Sequence, residues 1–128
     1  MEIINIVTLS ISGLLLLYGG TSRISNPIKI YWKNTGIRLE KEVNILSEAR
    51  GVSSVMLFSG IIMLLGTIVP ELTITSFVVA ILILLGFALG RSLSIALDGK
   101  PNKLLIQGLI TEIVLGTANI FCLVNMLD

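Results

Sequence analysis

The chain of 128 residues contains no histidine and only one cysteine. A single cysteine cannot form an intrachain disulfide, and histidine is the commonest protein ligand of metal ions. Cys122 lies in the last apolar segment of the chain, where it is predicted to be a small buried hydrophobic residue. From these absences we expect neither a metal site nor a cofactor.

Charged residues are also scarce, at 13% of the chain, whereas 54% of the residues are hydrophobic. A soluble domain has about 25% charged and about 45–50% apolar residues, so this composition indicates an integral membrane protein. The sequence has no glycine-rich phosphate loop, no metal-ligand spacing and no nucleophile–base pair, and we therefore expect no enzyme activity. We also expect no nucleic-acid partner, because the basic residues are interleaved with acidic ones beside apolar segments.

Four apolar segments are predicted to cross the bilayer as helices, at residues 3–20, 47–69, 72–97 and 104–127. At a rise of about 1.5 Å per residue, each is long enough for a hydrocarbon layer roughly 30 Å thick. The N-terminus has no basic region and no signal cleavage site, so the first segment is expected to be a retained span. The predicted fold class is an all-α membrane protein, in which residues 1–128 form a single domain of four transmembrane helices in an up-down antiparallel bundle.

Small and polar residues of the first span fall on one stripe of the predicted helix, which should therefore face other helices. These residues are Asn5, Thr8, Ser12, Gly19 and Arg23. In the third span, Gly86 and Gly90 form a G-x-x-x-G pattern, which is typical of a close contact between two helices.

The only long polar connection between spans covers residues 21–46. Asn26 and Pro27 form a good helix start, since asparagine caps helices and proline suits the first helical position. Tyr31 and Trp32 follow among basic residues, a composition typical of the membrane–water boundary. We therefore predict a short interfacial helix between the first two spans.

All nine lysine and arginine residues fall on one side of the predicted bundle, in or near the loops at residues 21–46 and 98–103. Basic residues in short loops accumulate on the cytoplasmic side of a membrane. The sequence thus predicts that both loops are cytoplasmic and that both termini face outward.

Two charged residues lie inside the predicted spans. Arg91 lies about 10 Å of helix inside Asp98, and Glu112 lies about 13 Å beyond Lys103. An unpaired charge at such depth costs at least about 2.5–3.5 kcal/mol, and the two helices are joined by a short turn, so we predict an Arg91–Glu112 ion pair.

Five further polar residues are candidates for the same cytoplasmic-side cluster. Ser94 and Asp98 share a helix face with Arg91 and are predicted to complete its network. Nearer the surface lie Arg23, Arg50 and Glu48, with Glu48 predicted to face inward and Arg50 able to reach lipid phosphates.

The cluster admits three interpretations. It could fix helix register and orientation as a structural ion pair. It could line a polar cavity that is open to the cytoplasm and binds a headgroup, an anion or a small polar ligand, or relays protons through Glu112. It could also be a contact surface for another membrane subunit.

Several segments resemble a known family. Leu17-Tyr-Gly-Gly20 with Arg23, Ser47-Glu-Ala-Arg-Gly51, the segment Gly90–Pro101 and Glu112 are similar to the bacterial membrane family called domain of unknown function 4345. The similarity covers nearly the whole chain. It implies a small four-helix integral membrane protein and no activity. We expect the chain to be a multi-pass protein of the bacterial inner (cytoplasmic) membrane.

Two hypotheses of function follow. The first is a non-enzymatic accessory or interaction protein, acting as a homo-oligomer or as a subunit of a larger membrane complex. The alternative is a binder or carrier of a small polar or lipidic ligand, which would use the polar cluster. In both cases the lipid bilayer is the expected surrounding.

Overall fold

The computed structural model of the protein describes residues 2–128, which contain five α-helices and no strand. The helices are α1 (Ile3–Ser25), α2 (Pro27–Thr35), α3 (Val43–Leu65), α4 (Thr73–Asp98) and α5 (Lys103–Leu127), and a 3-10 turn at Pro70–Leu72 precedes α4. By length and composition, α1, α3, α5 and the segment Pro70–Asp98 can each cross a membrane. The predicted all-α class with four long apolar helices is confirmed.

The helices extend beyond the apolar segments at their polar ends. Helix α3 begins at Val43, because the carboxylate of Glu42 accepts hydrogen bonds from the backbone N–H groups of Asn44 and Ile45 at 3.0 and 3.1 Å. Helix α1 continues to Ser25, five residues past the predicted end of its apolar span. Hydropathy therefore located the membrane segments but not the helix ends, which depend on capping groups.

The short helix α2 forms at the predicted place. Asn26 accepts a hydrogen bond from the backbone N–H of Lys29, and Pro27 occupies the first helical position. The helix ends at Gly36, whose φ of 72° is in the left-handed region that favours glycine.

Helices α1 and α3 approach backbone to backbone at glycines. A Cβ atom added to Gly20 would lie 2.6 Å from the backbone nitrogen of Leu57, and one added to Gly60 would lie 2.7 Å from that of Leu17. Only glycine fits at these two positions. Because residue 20 meets residue 57 and residue 17 meets residue 60, the two helices run antiparallel.

Side-chain hydrogen bonds connect the other helix pairs. Thr73 and Ser76 at the start of α4 donate to the carbonyl oxygens of Gly66 and Ile62, at 2.8 and 2.6 Å. Between α1 and α5, Asn119 donates to the Ser12 hydroxyl at 3.1 Å, and Cys122 Sγ lies 3.6 Å from Thr8 Oγ1. Asn5, Thr8 and Ser12 of the predicted stripe are buried and face other helices, whereas Gly19 and Arg23 of the same stripe are half-buried.

The bundle has two distinct ends. Glu2, Pro70 and Asn125 line one shallow cavity, so both termini and the α3–α4 connection lie at the same end, the terminal end. At the other end, the loop end, Asn102 before α5 donates to the carbonyl oxygen of Thr35 in α2 at 2.8 Å. The best-buried apolar side chains are near the terminal end or the middle of the bundle: Leu9, Met63, Phe77, Leu84 and Cys122.

The prediction that Gly86 and Gly90 mediate helix packing is wrong within this chain. Both glycines are exposed, and a Cβ added to either would have no heavy atom within 4 Å. Helix α4 packs through the opposite face, where Ala80, Leu84 and Ala88 are buried. The close contacts use glycines of α1 and α3 instead.

Candidate functional site

Arg91 and Glu112 form the predicted ion pair. The Nε of Arg91 donates to Oε1 of Glu112 at 2.9 Å, joining α4 to α5. Within residues 2–128 no other acidic and basic side chains lie within 4 Å of each other. The Glu112 side chain is 11% exposed and the Arg91 side chain 29% exposed, so the carboxylate is shielded while part of the guanidinium remains open.

Arg23 lies near this pair but has no carboxylate partner. It is close to the end of α1, where its Nε is buried and lacks a hydrogen-bond partner among the described residues. Its Nη1 contacts the sulfur of Met56 at 3.7 Å, and its guanidinium lies 4.9 Å from the ring centroid of Tyr31. A thioether is a weak acceptor, so the Arg23 charge is met mainly by the face of an aromatic ring.

The three charged residues line one cavity of about 390 Å³ near the loop end of the bundle. Its polar rim and walls come from α1, α2, α4 and α5: Tyr18, Arg23, Asn34, Thr35, Arg91, Gln107, Thr111 and Glu112. Its apolar walls are Leu15, Leu16, Met56, Leu84, Phe87, Leu104 and Leu105, with Gly19 and Gly108. Two guanidinium groups and one carboxylate give the cavity a formal charge of +1.

The cavity is closed toward the terminal end and open at the side. Below it, the contacts of Ser12 with Asn119 and of Thr8 with Cys122 hold α1 against α5. Beyond Ser12 the cavity separates the two helices, and Leu15 and Tyr18 on its edge are 45% and 70% exposed. The two helices that border this opening, α1 and α5, are each long and apolar enough to cross a membrane.

Ser94 and Asp98 do not join the network of Arg91, contrary to the prediction. The Ser94 hydroxyl donates to Asp98 Oδ2 at 3.0 Å, and both residues are exposed. They are four residues apart on α4 and therefore pair with each other at the helix end. A shared helix face did not imply a shared contact.

Glu48 and Arg50 also lie outside the cavity. The prediction that Glu48 faces inward is wrong, because Ala49 is the buried residue of that turn and the buried face of α3 continues through Ser53 and Met56. Glu48 instead lines a shallow groove with Tyr31. Arg50 is exposed. Of the seven candidate residues, the structure brings together Arg23, Arg91 and Glu112.

Sequence reasoning missed the side chains that hold the loop end together. Asn102 accepts a hydrogen bond from the backbone N–H of Leu105 at 3.0 Å as the cap of α5, and its amide also reaches Thr35. Its position before Lys103 is a recognisable cap signal, but the bond to α2 spans 67 residues of sequence and has no local signature. The contact between Tyr31 and Arg23 was missed for the same reason.

Within residues 2–128, no three cysteine, aspartate or glutamate side chains are grouped closely enough to hold a metal ion. The charged groups that line the cavity are the guanidinium groups of Arg23 and Arg91 and the carboxylate of Glu112. Two guanidinium groups can donate several hydrogen bonds to phosphate or carboxylate oxygens, and leucine side chains beside them can contact an apolar group.

Comparison with known proteins gives one match. No curated protein and no solved structure matches the chain. The family described as Domain of unknown function (DUF4345) matches residues 4–123, which include Arg23, Arg91 and Glu112. The four long apolar helices agree with a multi-pass membrane protein. The chain belongs to the DUF4345 family.

Proposed function

We propose that this protein is a non-enzymatic membrane protein that binds an anionic group in the cavity beside Arg23 and Arg91. The observation that carries the proposal is the buried Nε of Arg23, which has no hydrogen-bond partner among the described residues. The alternative drawn from the sequence, a ligand binder, is thereby favoured over the accessory role.

The energetics support an anion. A buried hydrogen-bond donor without a partner destabilises a protein by about 1–3 kcal/mol, whereas a contact with an aromatic face stabilises a cation by about 0.5–2 kcal/mol. Arg91 uses only its Nε for Glu112, so its terminal nitrogens keep four N–H donors. An oxyanion placed between Arg23 and Arg91 would neutralise the net charge of the cavity and accept hydrogen bonds from the terminal nitrogens of Arg91. It would also accept one from the Nε of Arg23 once that side chain turns toward it.

The proposal is tested with a small water-soluble anion. Monobutyl phosphate is titrated into the detergent-solubilised protein by calorimetry, and butanol is the uncharged control. We expect Arg23→Gln to weaken binding at least tenfold, while Arg23→Lys keeps part of it. Arg50→Gln is the matched control, because it removes the same charge from an exposed position outside the cavity. Equal weakening by Arg50→Gln, or unchanged binding by Arg23→Gln, would refute the proposal.

We propose as a second candidate that the chain is an accessory subunit that pairs with a second copy of itself through the outer face of α4. This proposal is supported by Gly86 and Gly90, which lie exposed on a helix long and apolar enough to span a membrane, where open space around a glycine permits close approach of another helix.

Native mass spectrometry after mild detergent extraction tests the pairing. We expect a dimer that Gly90→Leu converts to a monomer. Gly51→Leu should leave the dimer intact, because Gly51 is equally exposed and open but lies on α3. A wild-type chain that is monomeric and carries no other subunit would contradict this second candidate.

We propose the orientation and the cellular membrane of the protein from the distribution of its basic residues. All nine lysine and arginine residues are in or near the loop end, which supports an orientation with this end in the cytoplasm and both termini outside. Together with the family resemblance, this supports the inner membrane of a bacterium as the site of action.

A further inference from the structure

We infer that the occupant of the cavity is a membrane lipid whose headgroup carries one net negative charge, and that it enters from the bilayer through the side opening between α1 and α5. This inference rests on the proposed anion site and adds the chemical class and the route of the ligand.

The depth of the cations matches a lipid headgroup. Arg23 is two residues before the end of α1, so it lies about 3 Å of helix rise from the loop end. The segment Pro70–Asp98 has 29 residues and is about 43 Å long, longer than a hydrocarbon layer of roughly 30 Å. If its excess length is shared between both ends, Arg91 lies about 4 Å inside the hydrocarbon boundary, within reach of a phosphate just above it.

On α1 and α4 the walls of the cavity change from polar to apolar with distance from the loop end, whereas on α5 Leu104 and Leu105 lie nearer the loop end than Glu112. On α1 the lining runs from Arg23 at the loop end to Leu15, a rise of about 12 Å. On α4 it runs from Arg91 through Phe87 to Leu84, a rise of about 10 Å in the same direction. A headgroup beside the arginines would thus direct its acyl chain along leucine and phenylalanine side chains toward the bilayer centre.

A soluble anion would leave most of this surface without a partner. The apolar side chains Leu15, Leu16, Leu84 and Phe87 line the part of the cavity that lies below the arginines. Burial of apolar surface stabilises a complex by about 25 cal/mol per Å², which a free phosphate cannot use. The side opening also lies beside the exposed side chains of Leu15 and Tyr18, on a helix that is long and apolar enough to cross a membrane.

The charge of the cavity selects among lipids. Arg23 and Arg91 outnumber Glu112 by one, so a headgroup with a single negative charge makes the occupied cavity neutral. A zwitterionic headgroup leaves one positive charge in a region of low dielectric constant, where it is costly. We therefore expect phosphatidylglycerol to be retained and phosphatidylcholine to be lost.

A large side chain at position 108 is expected to block the side opening. Gly108 lines the cavity, and a Cβ added there would have no heavy atom within 4 Å. A phenylalanine at this position would extend into the cavity without a clash at its base. Gly51→Phe is the matched control, since Gly51 is also helical and has no heavy atom within 4 Å of an added Cβ, but it does not line the cavity.

The experiment measures lipid retained by protein reconstituted in nanodiscs of equal parts dioleoyl phosphatidylglycerol and dioleoyl phosphatidylcholine, released into detergent and analysed by native mass spectrometry. For the wild type we expect at least tenfold more bound phosphatidylglycerol than phosphatidylcholine. Gly108→Phe and Arg23→Gln should each retain at least tenfold less phosphatidylglycerol than the wild type, whereas Gly51→Phe should retain the same amount. Thermal unfolding of each variant confirms that it is folded.

Glycerophosphoglycerol, the same headgroup without acyl chains, separates the possible outcomes. If it binds as tightly as the lipid and Arg23→Gln abolishes both, the anion site stands and the lipid inference is overturned. If neither compound binds, both proposals fail. Lipid retention that is indifferent to charge or to Gly108→Phe also overturns the inference, because the lipid would then be annular.

Discussion

Glu112→Gln distinguishes a structural ion pair from an anion-binding site, because the two roles predict opposite consequences for ligand affinity. The substitution keeps the size of the side chain and removes its charge. Arg91 then loses the carboxylate that lies 2.9 Å from its Nε, and the formal charge of the cavity rises from +1 to +2.

The stability of the unliganded protein should fall. Breaking a fully buried ion pair costs about 3–5 kcal/mol, but the Arg91 side chain is 29% exposed and can be partly solvated. We therefore expect a loss of about 2 kcal/mol. The double variant Arg91→Gln/Glu112→Gln should recover most of this loss, since it leaves no unpaired charge.

Anion affinity should rise at the same time. An oxyanion on the terminal nitrogens of Arg91 would lie about 6 Å from the Glu112 carboxylate, where the repulsion is about 3 kcal/mol at an effective dielectric constant of about 20. The open part of the cavity screens this repulsion, so we expect a gain of about 1.4 kcal/mol, or about tenfold in Kd.

The assay combines thermal unfolding without ligand and calorimetric titration of monobutyl phosphate for the wild type, Glu112→Gln and the double variant. Glu48→Gln is the matched control, because Glu48 is exposed on α3 and outside the cavity. If Glu112→Gln destabilises the protein and leaves anion affinity unchanged or lower, the pair is a structural contact and the reasoning for a binding site is refuted.

Three further predictions concern packing, the loop end and orientation. Gly20→Ala should destabilise the protein by about 1–3 kcal/mol in thermal unfolding, because its Cβ would meet the backbone of Leu57 at 2.6 Å. The control variant Gly51→Ala should be neutral or should stabilise the protein by up to about 1 kcal/mol. Equal effects of the two substitutions would contradict the close α1–α3 contact. Asn102→Ala should lower the free energy of unfolding by about 1 kcal/mol and speed amide hydrogen exchange at the start of α5, since it removes the cap and the bond to Thr35. Unchanged exchange at Leu105 would show that the cap is dispensable. Lys33→Cys in intact cells should be protected from an impermeant maleimide while Glu71→Cys is labelled, and the reverse pattern would invert the proposed orientation.

Sequence patterns predicted those features of the fold that depend on local chemistry. The four apolar helices follow from composition and length, and the start of α2 follows from the cap at Asn26 and the proline after it. The Arg91–Glu112 pair was predictable because a short turn fixes the two helices side by side and charge in a membrane requires a partner.

The remaining features depend on how the helices rotate and pack, which periodicity alone does not determine. Gly86 and Gly90 have the pattern of a packing face yet lie outside, whereas Gly20 and Gly60 lack the spacing and form the close contact. The inward prediction for Glu48 failed because the buried face of α3 runs through Ala49, Ser53 and Met56, and Glu48 is about 100° away from Ala49 around the helix. The place of Arg23 beside Tyr31 required the chain to fold back after Asn26.

The contacts between α1 and α5 are strong at one end only, and this unequal closure determines how the cavity can change in size. At the terminal end, separation of the helices would expose Asn119, Cys122 and the apolar core. At the loop end, a hydrogen bond from Asn102 to Thr35 joins the start of α5 to α2 and not to α1, and such a bond contributes about 0.5–1.5 kcal/mol. We therefore expect the width of the cavity to adjust by movement of the loop end, with the Ser12–Asn119 contact as the fixed point and the terminal half unchanged.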